Sequence, residues 1–548
     1  MDLYNYDWEH QQYWSLKQHP PRPEQKKIIN EVIEAIEMGF KNIIIEAGTG
    51  TGKSAIATTI ARYVEDSYIL TMTKQLQNQY LDDFSYMLAE IKGKSNYNCE
   101  QMNATCDDCR IDNYNDTAEK KIPHCKDCPY RMALKHAQAS STMLTNYDYL
   151  YMAGNYADLF QPRDLLILDE SHNLEKKIMS FIGKTLNRQT IFKRYGIDIF
   201  YPVTKGATLK SIDNPDYWVG VLHHLIEKGA ENKAREPTKK GRDLYAKDLQ
   251  KFAYLIGKLE DTEAKFIIEL PTKKEILKDK IENDKFMNGL KAEFKPLMIN
   301  EYSESLLKFG ETRLFLTGTL GSKDKFCEWI GINPKETYYI YVKSPFPIEN
   351  RPIIKAYVGS MSNNRWNNPL AISKIKEIIK KHNGQKGVIH TSSNQQAWFI
   401  KKALNSNLVW VAQGATREDT IRRFETSTKP VILVGAGIKD GVDFKHDKCR
   451  YQIIFKIPYP SLAGKQVNIR THYDESWYNY QTIMPLMQAY GRGIRDMTDY
   501  CTCYILDNDF EKLLRKFRYL FNEYFLEAIK QPSKPKHVPK PVKINGGK

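Results

Sequence analysis

The sequence predicts an α/β chain built on two parallel, helix-covered sheets, and three observations carry that expectation. An apolar strand pattern at Asn42–Ile45 runs into a glycine-rich turn and then a helical stretch, Ala55–Val64. A second apolar strand, Leu165–Leu168, ends in two adjacent acids, Asp169 and Glu170. After about residue 322 short apolar strands (386–390, 408–412, 430–434 and 451–455) alternate with helical stretches such as 372–380 and 395–404. Strands separated by helices make parallel sheets covered on both faces.

Composition sets the frame. The 548 residues are 41% hydrophobic and 27% charged, as in a globular protein with room for several domains. No apolar run approaches the roughly 18 residues of a membrane span, and the N-terminus lacks the pattern of a signal peptide. An intracellular setting is therefore expected (cytoplasm or nucleoid, nucleus in a eukaryote), and no membrane partner. The net charge of +15 suggests a polyanion, since Lys and Arg release counterions condensed on phosphate backbones. Residues 531–548 carry five Lys, four Pro and no acid, the composition of a disordered basic tail.

The first strand and turn read as a phosphate site. Ala47, Gly48, Thr49, Gly50, Thr51 and Gly52 form a loop whose backbone N–H groups can face phosphate oxygens. Lys53 would reach the β- and γ-phosphates, and the Ser54 hydroxyl would ligate Mg²⁺. Ala47 stands where the strict G-x-x-x-x-G-K-[ST] pattern has glycine. The strand-end acids complete the chemistry: Asp169 orients the metal, and Glu170 acts as general base on the attacking water. ATP and Mg²⁺ are the expected cofactors. Arg492 and Arg495, three apart, would share a helical face and stabilise γ-phosphoryl charge.

These segments resemble a known family. Asp169-Glu170-Ser171-His172 is similar to the DEAH-type box of superfamily 2 helicases, which often show Ala at the first loop position. Arg22-Pro23-Glu24-Gln25, Leu316-Thr317-Gly318-Thr319-Leu320, Ser344-Pro345-Phe346, Ile457-Pro458-Tyr459-Pro460 and the run from Gln488 to Arg495 resemble, in order, markers of the XPD/DinG family of iron–sulfur helicases. Gly318 departs from that family's usual coupling motif. The resemblance implies two RecA-like motor domains, with a small Fe–S insertion and a helical Arch-like insertion in the first. It implies that Gln25 hydrogen-bonds adenine, that Gln488 is a catalytic residue together with Arg492 and Arg495, and that Gly441 and Asp443 couple ATP to DNA. The implied substrates are single-stranded and forked DNA, with 5′→3′ translocation.

On this reading motor domain 1 comprises 1–92, 140–194 and 291–321, interrupted by an iron–sulfur domain at 93–139 and the Arch-like insertion at 195–290. The Lys/Glu-rich second insertion shows no apolar strand run. Motor domain 2 spans 322–530, followed by the tail at 531–548. Polar residues just after strands (Thr71, Thr73, Asn146, Tyr147, Thr391, Ser392, Ser393) are candidate strand-gripping donors, or ordinary loop ends.

Five of nine cysteines fall within residues 99–128. In a reducing compartment they point to metal rather than disulfides. Spacing alone, with Cys106/Cys109 and Cys125/Cys128 as C-x-x-C pairs, reads as a zinc ribbon. Family resemblance makes Cys99 and Cys128 the first and last ligands of a [4Fe–4S] cluster. Cys106 and Cys109 follow by order and spacing, and Cys125 is left over. Lys92, Lys94, Tyr97, Tyr130 and Arg131 would contact a DNA junction beside it. The expected activity is that of a monomeric ATP-dependent DNA helicase with an Fe–S wedge. Its rivals are an ATPase that remodels RNA, DNA–RNA hybrids or protein–DNA complexes, and a zinc-stapled nucleic-acid binder with a degenerate motor.

Overall fold

The computed structural model describes residues 8–530 apart from 17–18, 49, 100–103, 107–127, 201–210, 262, 264, 273–274, 277–288, 363–364, 439–443 and 445. The chain divides into two compact units. The first holds residues 1–342 and 460–478, and the second holds 343–459 and 479–548.

The first unit is organised by a seven-stranded parallel sheet. Its strands lie in the order Thr337–Val342, Asn42–Ala47, Gly310–Thr317, Arg163–Leu168, Ser67–Thr71, Thr142–Asn146 and Ala89–Glu90. Every residue of Asn42–Ala47 and of Ser67–Thr71 is buried, as in a sheet covered on both faces. That burial explains why the sequence shows unbroken apolar runs there rather than alternation.

Sequence reasoning ends motor domain 1 at 321, but the sheet does not stop there. Thr337–Val342 pairs along its whole length with the strand that leads into the glycine-rich phosphate loop (the P-loop strand), from Asn42 opposite Thr337 to Ala47 opposite Val342. A second departure lies further on. Residues 460–478, expected inside motor domain 2, pack into the first unit. Gln466 donates its backbone N–H to Glu269 Oε1 (2.9 Å) and its amide to the Pro296 carbonyl (2.6 Å). Arg470, 1% exposed, pairs with Glu175, which also accepts from Trp477 Nε1 at 2.9 Å. Trp329 Nε1 donates to Asp474 at 2.7 Å.

The second insertion is built on two helices, Pro215–Arg235 and Lys239–Glu260, capped by the Asn214 and Thr238 side chains. The expectation that it lacks an apolar strand fails. Phe266–Glu269 joins Lys291–Pro296 and Lys184–Asn187 in an antiparallel sheet. Its apolar part, Phe266-Ile267-Ile268, is only three residues long, too short to register as a run. Trp218, Leu222 and Phe252 are fully buried with Phe294 in the insertion's own core.

The second unit carries six parallel strands in the order Ile353–Gly359, Thr502–Asp507, Tyr451–Ile454, Gly387–Thr391, Ile432–Ala436 and Val409–Val411. Helices Pro369–Lys381 and Asn394–Leu404 match the expected stretches within three residues.

Candidate active site

The P-loop strand ends at Ala47, and the turn that follows uses positive φ at Gly50 (84°) and Gly52 (79°). A side chain at Gly52 would place its Cβ 2.3 Å from Gln25 Nε2, so both conformation and space demand glycine. Helix Lys53–Val64 starts directly from this turn and turns its N-terminal dipole toward it. The Lys53 ammonium donates to the Ala47 carbonyl at 2.9 Å, and Thr51 Oγ1 donates to the Gly48 carbonyl at 2.9 Å.

Gln25 is hydrogen-bonded through both atoms of its amide group, in support of the phosphate turn. It is 5% exposed, its Oε1 accepts from Arg22 N (2.9 Å), and its Nε2 donates to the Thr51 carbonyl (3.0 Å). Arg22 Nη2 donates to the Gly50 carbonyl at 2.9 Å. The R-P-x-Q element therefore buttresses the phosphate turn. Trp14, His19, Arg22, Gln25, Gly52 and Ser54 border one cavity of about 530 Å³ beside it.

Asp169 lies 6% exposed at the end of its strand, with its backbone N–H donating to the Leu70 carbonyl at 3.0 Å. Burial, then the charge of Glu170, pushes its carboxyl up to about 6, against the pull of Lys53. Glu170 follows with φ of 53°, a left-handed conformation uncommon outside glycine, found where a site holds a residue in a forced orientation. Its carboxylate stands 3.3 Å from His172 Nδ1, which also sits 3.1 Å from Thr317 Oγ1. Thr317 donates onward to the Thr319 carbonyl at 2.8 Å. Glu46, 1% exposed, grips the other end of that loop: it accepts from Leu320 N at 2.8 Å and from the Tyr339 hydroxyl at 2.8 Å. Thus the acid pair and the P-loop strand both hold the 317–320 loop.

Helix Glu475–Tyr490, which belongs to the second unit from Asn479 on, contains Gln488 and stops before the arginines. Arg492 and Arg495 lie in the turn beyond it, not on a shared helical face, because glycines at 491 and 493 end the helix. Arg495 donates to the Gly491 carbonyl at 2.8 Å, and its backbone N–H to the buried Asp499 at 3.3 Å. The Gln452 amide, turned so that both its atoms are satisfied, donates to His390 Nε2 and Ala489 O and accepts from Gly493 N at 3.1 Å. A Cβ at Gly493 would lie 2.6 Å from that amide. His390 is buried, which pushes its imidazole down to about 4 and keeps it neutral. Thr49, Gly441, Asp443, Cys109 and Cys125 lie outside the described residues.

Among the cysteines, Cys106 is buried, and its sulfur stands 4.0 Å from that of Cys128, which precedes helix Pro129–Ala139. Cys99 lies on the two-residue strand paired to Ala104–Thr105, and its charge is felt at Cys106. Burial, then Cys128, pushes the Cys106 thiol up to about 11, so metal binding must displace its proton. Two of the four expected ligands, Cys106 and Cys128, are thus brought together, and no group of three metal-binding side chains is found among the described residues. The 4.0 Å spacing is close to the ~3.8 Å edge of a tetrahedron with roughly 2.3 Å metal–sulfur bonds. Tyr130 offers no stacking face: it is 7% exposed and its hydroxyl bonds Tyr149 at 2.8 Å.

The candidate strand-gripping residues are spent locally. Thr71 donates to the Thr73 carbonyl and Thr391 to the Ser393 carbonyl, while Thr73, Ser393 and Asn146 cap the helices that follow. Glu46 and Tyr80 escaped sequence reasoning, while Arg22 was read only as part of its motif and Tyr147, whose hydroxyl donates to the Asp169 carbonyl at 2.8 Å, only as a strand-gripping candidate. Only Glu46 carried a readable signal, an acid closing an otherwise apolar strand.

Two family models match the chain: a type III restriction enzyme res subunit over residues 18–194 and a helicase C-terminal domain over residues 374–524. The ATP-dependent DNA helicase YoaA of Haemophilus influenzae is 22% identical, the alignment covering 97% of this chain and 96% of that protein. The Escherichia coli YoaA helicase is also 22% identical, over 89% and 91%. Among solved structures, an XPD helicase superposes with a TM-score of 0.60 at 17% identity, over 93% of this chain and 99% of that one. Xpd4 of S. tokodaii gives 0.56 at 16% identity, over 93% and 99%.

Proposed function

From a chain that is an XPD/DinG-type member of superfamily 2, with two RecA-like sheets, we propose an ATP-hydrolysing motor that moves 5′→3′ along single-stranded DNA and opens duplex ahead of it. The observation that carries this reading is the continuous linkage from Glu170 through His172 and Thr317 to the loop gripped by Glu46 at the P-loop strand. A change at the γ-phosphate alters what Glu170 faces, and the linkage passes that change to the 317–320 loop, where a Cβ on Gly318 would stand 3.8 Å from Lys53 Nζ.

Lys53 and the helix N-terminus bind the phosphates, Ser54 and Asp169 hold the Mg²⁺ of the bound nucleotide, and Glu170 draws a proton from the attacking water. Arg492 and Arg495 are assigned the γ-phosphoryl charge, with Gln488 beside them, and Gly441 and Asp443 the coupling to DNA. Gln25 is assigned to the adenine through the amide capacity left after bracing the turn. The DNA partner is single-stranded or forked, met inside the cell by a monomer.

Cys99, Cys106, Cys109 and Cys128 are assigned a metal staple for the small insertion, with a [4Fe–4S] cluster as the first reading. Bound there, the metal supplies cross-linking to a segment too small for a core of its own. Zinc is the second reading, favoured by the 4.0 Å sulfur pair. Iron, zinc and sulfide content of anaerobically purified protein separates them.

The motor is tested by phosphate release with single-stranded DNA or RNA, together with strand separation on a forked duplex. DNA-stimulated hydrolysis with fork opening is expected. Hydrolysis stimulated by RNA alone, with no opening, would replace this reading with a remodelling ATPase.

A further inference from the structure

Tyr80 sits on helix Lys74–Phe84, two turns beyond the strand end at Thr71, and is 1% exposed. None of the roles assigned to the motor uses it. Its ring packs against Phe84 with centroids 6.4 Å apart, and its hydroxyl points at the acid pair rather than at a backbone carbonyl. The distance from that hydroxyl to Asp169 Oδ2 is 3.2 Å, and the Ser54 side chain lies beside the same hydroxyl.

The other contacts of Asp169 are different in kind. Its Oδ1 accepts the Glu170 backbone N–H at 2.9 Å, and its carbonyl accepts the Tyr147 hydroxyl at 2.8 Å. These fix the main chain and one oxygen. The orientation of Oδ2 is left to Tyr80. Ser54 and Asp169 come from segments over a hundred residues apart in sequence, and a divalent cation must find both at once. A hydroxyl that donates to one and lies beside the other can set their arrangement before the cation arrives. Outer partners of this sort fix ligand geometry, and their loss typically costs 10–100-fold in metal affinity.

We propose that Tyr80 is a positioning residue for the divalent cation that enters with the nucleotide, its hydroxyl donating to Asp169 and holding the carboxylate in its binding orientation beside Ser54. This rests on the assignment of Ser54 and Asp169 to the metal of the bound nucleotide. The competing account is that a buried hydroxyl has merely found its nearest acceptor and serves only the fold.

The test is a magnesium titration of nucleotide binding, read by a fluorescent ATP analogue with no hydrolysis needed. In Tyr80→Phe the Mg²⁺ concentration for half-maximal effect rises about 10-fold or more, while analogue affinity in EDTA equals that of the unmutated protein. In the Asp169→Asn background Tyr80→Phe adds nothing to the Mg²⁺ dependence. A Tyr80→Phe protein that is folded at assay temperature and keeps the unmutated Mg²⁺ midpoint overturns the proposal, whatever its melting temperature. If Tyr80→Phe does not yield folded protein, Tyr80→Met takes its place in the same titration: a raised midpoint supports the proposal and an unchanged one overturns it. Failure of the underlying assignment looks different: the unmutated protein would then show no Mg²⁺-dependent tightening at all.

Discussion

Both sheets bury a titratable group where a strand ends, yet the two groups are left in opposite conditions. Asp169, in the first sheet, is raised to about 6 by burial and Glu170, with Lys53 drawing it back. His390, in the second, is lowered to about 4 by burial and has the Gln452 amide for company. One physical cause, loss of water around a charge, acts on both. The difference is what surrounds them. Asp169 has the charge of Lys53 and the Tyr80 hydroxyl directed at it, the surroundings that its proposed part in cation binding calls for. His390 is neutral and satisfied, and its amide partner pins the arginine turn. The neighbours, more than the burial, separate a reactive group from a packed one.

The sharpest way to break this contrast is to disable each side in turn. Lys53→Ala or Glu170→Gln should lower DNA-stimulated ATP turnover on the order of 1,000-fold, with melting behaviour retained. Unchanged phosphate release in either would refute the assignment of chemistry to the first sheet. Arg492→Ala comes next, with turnover reduced roughly 100-fold and affinity for the nucleotide analogue preserved; a loss of affinity instead would make the arginine a binding group.

The two buried groups should also give stability opposite slopes with pH. His390 is depressed from its ordinary value of 6.5. Its contribution is therefore full above about pH 6.5 and is lost as pH falls through about 4, roughly 3 kcal/mol in all. Denaturant midpoints of His390→Gln should be flatter over that window. Asp169 is raised, so in metal-free protein its contribution is full below the ordinary carboxylate range and is lost as pH rises through about 6. Asp169→Asn should remove that loss, and matching slopes for the two variants would erase the distinction.

The smallest effects test what the sheets share. Thr71 and Thr391 close equivalent turns through their hydroxyls, so Thr71→Val and Thr391→Val should each cost about 1 kcal/mol in denaturant unfolding. If one costs nothing, that threonine is held for a ligand instead.

Much of this was legible in the residues. Apolar runs located the P-loop, acid-box and central second-sheet strands, because strands buried on both faces leave unbroken hydrophobic signatures. Lys53, Asp169 and Glu170 were readable because catalytic residues follow such strands directly. The first-unit boundary was not, since the pairing of Thr337–Val342 with the P-loop strand joins residues nearly three hundred apart and local pattern is blind to it. Thr502–Asp507 and Ile353–Gly359, the edge of the second sheet and its neighbour, escaped for the same reason. Gln25 was found but its braces were not, because a glutamine's hydrogen bonds depend on which carbonyls the turn presents. Tyr80 was invisible: within a helix a buried tyrosine reads as core.

The return of residues 460–478 to the first unit alters how the chain can come apart. A protease cut at 342–343 would leave the downstream fragment still plugged into the upstream one by its own buried arginine, tryptophan and glutamine. The two pieces would copurify like a belt threaded back through its buckle, and releasing either half takes denaturant as well as a blade.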